Sequence, residues 1–526
     1  MAILHDVKTA RNCSNELVIA NQVAPVHRSR HPKPKLYLDV LIHVVKQLVS
    51  GIDDSEEYYL EDRLSVITVF SQVCKLWKLA AERTPQAWAQ CLDVRLDSPT
   101  FTKILSSTGQ VLLDVKANVP DSLCFYSTNW DLLFQQQYRF RLLKIQSVSF
   151  HNGVDLSILE NALSKPASTL EELNLGLLGY ISWAMNRNDR FAVLNVASLL
   201  SGAAPQLRKL TLADTIFKTA NSTFPALHNV TSFAFISSFD FDPLVHTFWL
   251  DALRSMPHLE RLDIGFVASW GTISAQDDEG SQHCNVSLGK LKDLTIWGTT
   301  QSIPIVYRKI KLPHAANVTI ASEMHGLSYS SESYIDIERF SDMWDEPMPC
   351  DKVILDISCN KLWVKTVQGQ RQTIHNYKLH KTAGWAYKGM CWLQDMLNEA
   401  PNHGFARAIR TTRTLDLHIA CEIEDEDEAS DLAEILAEIL VYFSRVETLT
   451  MSCQTIRLFR RYPLIGYVPN EGQQSSDATA YTLDPILFPS MTKFHINTRA
   501  PDIEDLCGQF KRDYAAWRAS KQYPAL

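Results

Sequence analysis

Pro257-His-Leu-Glu-Arg-Leu-Asp-Ile264 is the stretch on which the fold turns. Leu262 and Ile264 fall on one face of an extended strand and Asp263 on the other, because side chains alternate along a strand with period two. Pro257 cannot continue a helix, so it marks where one stops and the strand begins. The pattern recurs as Leu170-Glu-Glu-Leu-Asn-Leu175, Leu207-Arg-Lys-Leu-Thr-Leu212 and Leu291-Lys-Asp-Leu-Thr-Ile296. Looser copies start at Val230, Ala315, Val446 and Met491, and Pro205, Pro225 and Pro489 stand just ahead of three of the units. Further strands are expected at Val148–Phe150, Ile354–Ile357 and Leu415–Leu417.

This array resembles a leucine-rich repeat, in which each unit is a strand with a returning helix and neighbours stack to bury the leucines. The resemblance implies an α/β fold, an irregular solenoid over residues 141–500 with parallel strands on the concave side and helices on the convex side. Ala192–Leu200 and Phe248–Met256 read as two of those helices. Units are separated by about 23 to about 60 residues, so the long steps carry insertions. Ile503, Leu506, Phe510, Tyr514 and Trp517 share a helical face that suits a capping helix over residues 501–526. Gly271–Asn285 and Pro469–Thr479 read as loops, and the acidic run Glu422–Glu428 precedes an apolar helical stripe from Leu432 to Phe443.

The residues between the leucines line up as rows on the concave face. The first row reads Asn174, Thr211, Ala234, Asp263, Thr295, Thr319, Asp356, Asp416, Thr450 and His495. The second reads Gly176, Ala213, Ile236, Gly265, Trp297, Ala321, Ser358, His418, Ser452 and Asn497. The first row holds three Asp and no Lys or Arg, which suits a partner presenting basic side chains. Candidate substrate contacts are Asp263, Thr295, Trp297, Asp356, Asp416, His418 and His495. Trp297 is the one large aromatic in its row, a residue type enriched at interface centres; its plainer role is packing on a neighbouring strand or on Trp270.

Ahead of the repeats the period changes. Leu36, Val40, Leu41, Val44, Val45 and Leu48 form one helical stripe, Leu64, Ile67, Phe70 and Val73 a second, and Trp77, Ala80 and Ala81 a third that Pro85 ends. Val73, Cys74, Lys75 and Trp77, with Trp88 beyond, make a Val-Cys-basic-x-Trp core followed by a second Trp. This resembles the second half of an F-box, and the ending Ala81, Thr84, Pro85, Trp88 is most similar to F-box-like proteins of mushroom-forming fungi. In the first half, Leu36-Tyr-Leu-Asp-Val-Leu41 stands where the family has Leu-Pro-x-Glu-Ile-Leu, and an acidic insert with Asp53, Asp54, Glu56, Glu57, Glu61 and Asp62 follows.

The expected organisation is a disordered segment over 1–33, a three-helix F-box-like module over 34–92 and a connector over 93–140. The resemblance implies that Leu36, Val40, Leu41, Val44, Val45, Leu48, Val69, Val73, Trp77 and Trp88 dock a Skp-family adaptor and hence a cullin. The chain is then the non-catalytic substrate-recognition subunit of a ubiquitin ligase, with the repeats holding an unknown protein substrate. The alternative is a repeat scaffold with a degenerate F-box that does not engage the ligase.

Bulk properties narrow the field. A formal net charge of −8 is unsuited to a nucleic-acid footprint, which needs clustered Lys and Arg. The one basic cluster, His27–Lys35, is broken by proline and reads as a linker, with nuclear import as the other reading. Eleven cysteines without a Cys-x-x-Cys pair indicate neither a zinc site nor a disulfide framework, and no cofactor is expected. The N-terminus lacks a secretory apolar region and no run is long enough to span a membrane, so cytosol or nucleus is expected. No nucleophile elbow, phosphate-binding loop, dinucleotide fingerprint or His-Glu-x-x-His helix is present.

Overall fold

The computed structural model describes residues 38–50, 59–119, 128–150, 156–179, 192–219, 223–237, 243–266, 286–298, 302–313, 315–324, 350–358, 361–368, 371–379, 404–419, 426–461 and 488–497, with scattered positions between 390 and 398 and between 508 and 519. The chain divides into two compact units, residues 1–91 and 92–526. Leu36, Tyr37, the start of the acidic insert, the two expected loops and most of the expected C-terminal helix lie outside the described residues.

In the first unit the described residues form four helices: α1 (Leu38–Ser50), α2 (Tyr59–Val73), α3 (Lys75–Glu82) and α4 (Pro85–Ala89), each packed on the others. Three were expected. Pro85 does stop the third stripe, but it then serves as the first residue of α4, where its missing N–H costs nothing. The buried Thr84 joins the two, its hydroxyl donating to the Ala80 carbonyl at 2.6 Å. Trp88 Nε1 donates to the Ala81 carbonyl at 2.9 Å and fixes α4 against the end of α3. Arg63 is buried and donates to the Val49 carbonyl, one of the orphan acceptors at the end of α1.

The second unit is mixed α/β. Its helices are α5 (Ser98–Ser107), α6 (Thr128–Phe134), α7 (Ser157–Leu163), α8 (Pro243–Arg254), α9 (Ser302–Arg308), α10 (Gly404–Thr411), α11 (Glu426–Leu440) and α12 (Cys453–Arg461). Its strands are β1 (Leu113–Val119), β2 (Phe140–Phe150), β3 (Glu172–Gly179), β4 (Ala192–Asn195), β5 (Lys209–Ala213), β6 (Thr215–Lys218), β7 (Ser232–Ser237), β8 (Arg261–Phe266), β9 (Val286–Ser287) and β10 (Asp293–Gly298). They continue with β11 (Ile310–Lys311), β12 (Asn317–Met324), β13 (Lys352–Ser358), β14 (Lys361–Gln368), β15 (Arg371–Leu379), β16 (Thr414–Ile419), β17 (Thr448–Ser452) and β18 (Lys493–Asn497). Fourteen of them form one sheet in the order β1-β2-β3-β5-β7-β8-β10-β12-β15-β14-β13-β16-β17-β18, while β4 with β6 and β9 with β11 make two-stranded side sheets. No helix among the described residues is long and apolar enough to cross a membrane.

The sheet follows the repeated hexapeptide. Its first apolar residue is buried in every unit but the one begun at Ala315, where the next residue Ala316 takes the place, and its N–H closes a tight turn, as in Leu207 to Ala204, Leu259 to Met256, Leu291 to Leu288, Ala316 to Pro313 and Val446 to Phe443. The next two N–H groups then share one carbonyl of the preceding unit: Thr231 and Ser232 on Arg208, Glu260 and Arg261 on Thr231, Lys292 and Asp293 on Glu260. The later apolar positions point into the core, where Leu175, Leu212, Phe235, Ile264, Ile296, Ile320 and Leu417 are fully buried. A knot of rings fills the middle of that core, Phe248 of α8 lying 5.6–6.1 Å from Phe217, Phe224 and Phe235.

Three expectations about elements need correction. Ala192–Leu200 is not a helix; it is β4, paired in parallel with β6, followed by the start of a 3-10 turn. The sheet begins at Leu113, inside the segment read as a connector. Most consequentially, β14 runs antiparallel between β13 and β15, so the chain passes from β12 to a strand three places further on and then folds back. The side chain of Asn317 supports this excursion, donating to Asp293 at 2.9 Å and accepting from the Gln372 N–H at 3.0 Å.

Candidate functional site

The sheet registers decide which outward residues stand side by side. Lys116, Lys144, Asn174, Thr211, Ala234, Asp263, Thr295 and Thr319 are direct partners across seven ladders, and the row continues through Ile374, Lys365, Ile354, Asp416, Thr450 and His495. The expected first row therefore holds except at Asp356. That residue pairs with His418 and belongs to the second row, where it displaces Ser358. The cause is a two-residue offset: Ile354, not Asp356, stands opposite Asp416.

The charge of the face changes with the register. Lys116 and Lys144 open the first row and Lys365 of β14 sits within it, so the row carries three lysines and two aspartates and is not the acidic strip expected. Lys352, two residues ahead of Ile354, pairs with Asp416 at 2.5 Å and occupies that carboxylate. In the row one step nearer the strand starts Lys209 pairs with Glu172 at 2.9 Å, and Asp114 pairs with Arg141, which lies at the register shift of β2 beside that row. His495 is exposed on the edge strand β18, and His418 is half-buried on β16.

Between β3 and β12 both rows are uncharged apart from Asp263. There the second row reads Gly176, Ala213, Ile236, Gly265, Trp297 and Ala321. The Trp297 indole lies over Gly265: a Cβ built on that glycine would fall 1.9 Å from Cε2 and 2.0 Å from Cζ2 of the ring. Trp297 Nε1 donates to Asp263 Oδ1 at 3.0 Å. Burial pushes the Asp263 carboxyl above the ordinary carboxylate range, and the hydrogen bond from the indole opposes that rise. Trp297 thus packs on the neighbouring strand, as one of its two expected roles had it, while remaining half-exposed.

On the helical unit, the residues assigned to adaptor docking separate into two groups. Leu41 and Val45 are buried together with Val49 and form the core of α1, so they offer nothing to a partner in this fold. Val40, Leu48, Val69 and Val73 are 37–56% exposed, and Leu76 on α3, which the sequence reading did not single out, is 37% exposed. In the much longer second unit only Leu112, Tyr138 and Val441 match them among the described residues. Val44 is half-buried, as are Trp88 and Trp77, whose ring sits 4.2 Å from Phe70.

Among the described residues, no three of His, Cys, Asp and Glu converge as metal ligands would. No protein-family model matches the chain, and no curated protein matches it.

Proposed function

We propose that this chain is the substrate-recognition subunit of a cullin-type ubiquitin ligase: its helical unit acts as an F-box that binds a Skp-family adaptor, and its sheet and helices form an irregular leucine-rich-repeat solenoid that holds a protein substrate. The observation that carries the reading is the exposure of five aliphatic side chains on the helical unit. Val40 and Leu48 lie two helical turns apart on α1, and Val69, Val73 and Leu76 run from the end of α2 into α3. Exposed aliphatic side chains in such number on one small unit are what an interaction surface requires. Four of those five are residues that the F-box resemblance assigns to the adaptor. Such a subunit forms no bonds itself; it raises the effective concentration of substrate near the charged ubiquitin carrier. In this role the protein works in the cytosol or nucleus.

The test uses the full chain. Val40→Asp and Val73→Asp leave the buried core of the unit untouched, so each variant keeps the wild-type melting temperature and loses adaptor and cullin in affinity capture from cell extract. Capture undiminished by both changes, or absent from the wild type, leaves the scaffold without ligase contact as the better account.

A further inference from the structure

The sheet face between β3 and β12 has the makings of a receptor for one chemical group. Asp263 is the single charge in its two outward rows there, and its immediate partners Ala234 and Thr295 are small and uncharged. Arg261, two residues back on β8, is exposed and belongs to the next row toward the strand starts. Oδ1 of Asp263 is taken by the Trp297 indole, the one hydrogen bond that this carboxylate receives among the described residues. One face of that indole rests on Gly265, so a partner meets the other. An anion and an aromatic face presented together, in two rows that carry no other charge between β3 and β12, complement a cation that is also flat. A guanidinium stacks on indole and hydrogen-bonds carboxylate oxygen at once, which an ammonium does less well.

We propose that Asp263 and Trp297 form a binding site for an arginine side chain of a protein partner, the guanidinium stacking on the outer face of the Trp297 indole and donating to the Asp263 carboxylate. Gly265 is part of the site, since only a residue without Cβ lets the indole lie flat at this position. Desolvation of Asp263 works in the same direction: a carboxylate already stripped of part of its water loses less on meeting a cation. The inference takes the concave sheet face to be the cargo surface, as in the reading above, but it makes no use of the adaptor.

The full chain labelled with 5-fluorotryptophan provides the readout by fluorine NMR. The chain has 12 Trp, and the signal missing from Trp297→Phe identifies Trp297. Titration with N-acetyl-arginine amide should move that signal saturably, and the isosteric but neutral N-acetyl-citrulline amide should not. Asp263→Asn should weaken the response about tenfold or more while the other tryptophan signals stay in place, which shows that the variant is folded. A shift as large with citrulline, no shift with arginine, or a response unchanged in Asp263→Asn overturns the site. Equal affinity for N-acetyl-lysine amide overturns the choice of a planar cation. Loss of adaptor capture would leave these spectra unaltered, so the two proposals fail separately.

Discussion

At Gly265 the absence of one carbon sets the position of the Trp297 indole. In Gly265→Ala the new methyl group cannot coexist with the indole, and the ring, being half-exposed, swings outward in preference to forcing the strands apart. The cost is then chiefly the hydrogen bond to Asp263, about 1–2 kcal/mol in urea unfolding, with a red shift in the Trp297 contribution to fluorescence. Asp263 itself gives a pH signature. Its folded carboxyl binds a proton more tightly than the unfolded one, so its contribution to stability is greatest at low pH and is lost as pH rises through the raised folded value. Asp263→Asn, which keeps an acceptor for the indole, should flatten that slope when unfolding midpoints are compared between pH 3 and pH 7. Cysteine chemistry separates two residues of the helical unit: burial pushes the Cys91 thiol up to about 12, whereas Cys74 is exposed. Iodoacetamide at pH 8 should label Cys74 and leave Cys91 unmodified until denaturant is added, as peptide mapping would show.

Helix and strand faces were legible to different depths. In α1 the apolar run is too dense to assign by spacing alone: Val40, Val44 and Leu48 make one ridge, and Leu41, Val45 and Val49 make the next, about 100° round the helix. Only packing shows which ridge is core. Leu41→Ala should therefore cost about 2–5 kcal/mol of the stability of the first unit, a cavity effect, whereas Val40→Ala should be close to neutral in the same thermal melt. The strands were easier because period two together with a repeated motif fixes both inward face and register, and most of the first row is found where the spacing put it. The exception is instructive. Strand β14, Lys361-Leu-Trp-Val-Lys-Thr-Val-Gln368, carries no hexapeptide, because it runs against the direction in which that motif leads the chain. Alternating runs on both sides of Gly369 were the available sign of a hairpin. Missing it hid Lys365 from the row, while Asp356 was displaced by a separate two-residue offset between β13 and β16.

At the scale of the whole second unit, each strand touches its two neighbours in the sheet, and the strands on either side of the excursion follow chain order. Stability in such an arrangement is close to a sum of local terms plus nearest-neighbour terms, so damage stays near its source. Phe235 tests this because it is fully buried in the ring cluster, 6.1 Å from Phe248 and 6.5 Å from Phe266. Phe235→Ala removes about 3–5 kcal/mol of local packing. In hydrogen exchange followed by mass spectrometry, amides of β5, β7, β8 and α8 should lose protection first and most. Amides of β16, β17 and β18, at the far end of the sheet beyond the antiparallel strand, should exchange as in the wild type. A uniform loss of protection from β1 to β18 would mean that the unit folds as one cooperative block. The excursion through β13, β14 and β15 would then be a clamp that couples the two ends of the sheet, since it ties β12 to β16 through three strands contributed by a single stretch of chain.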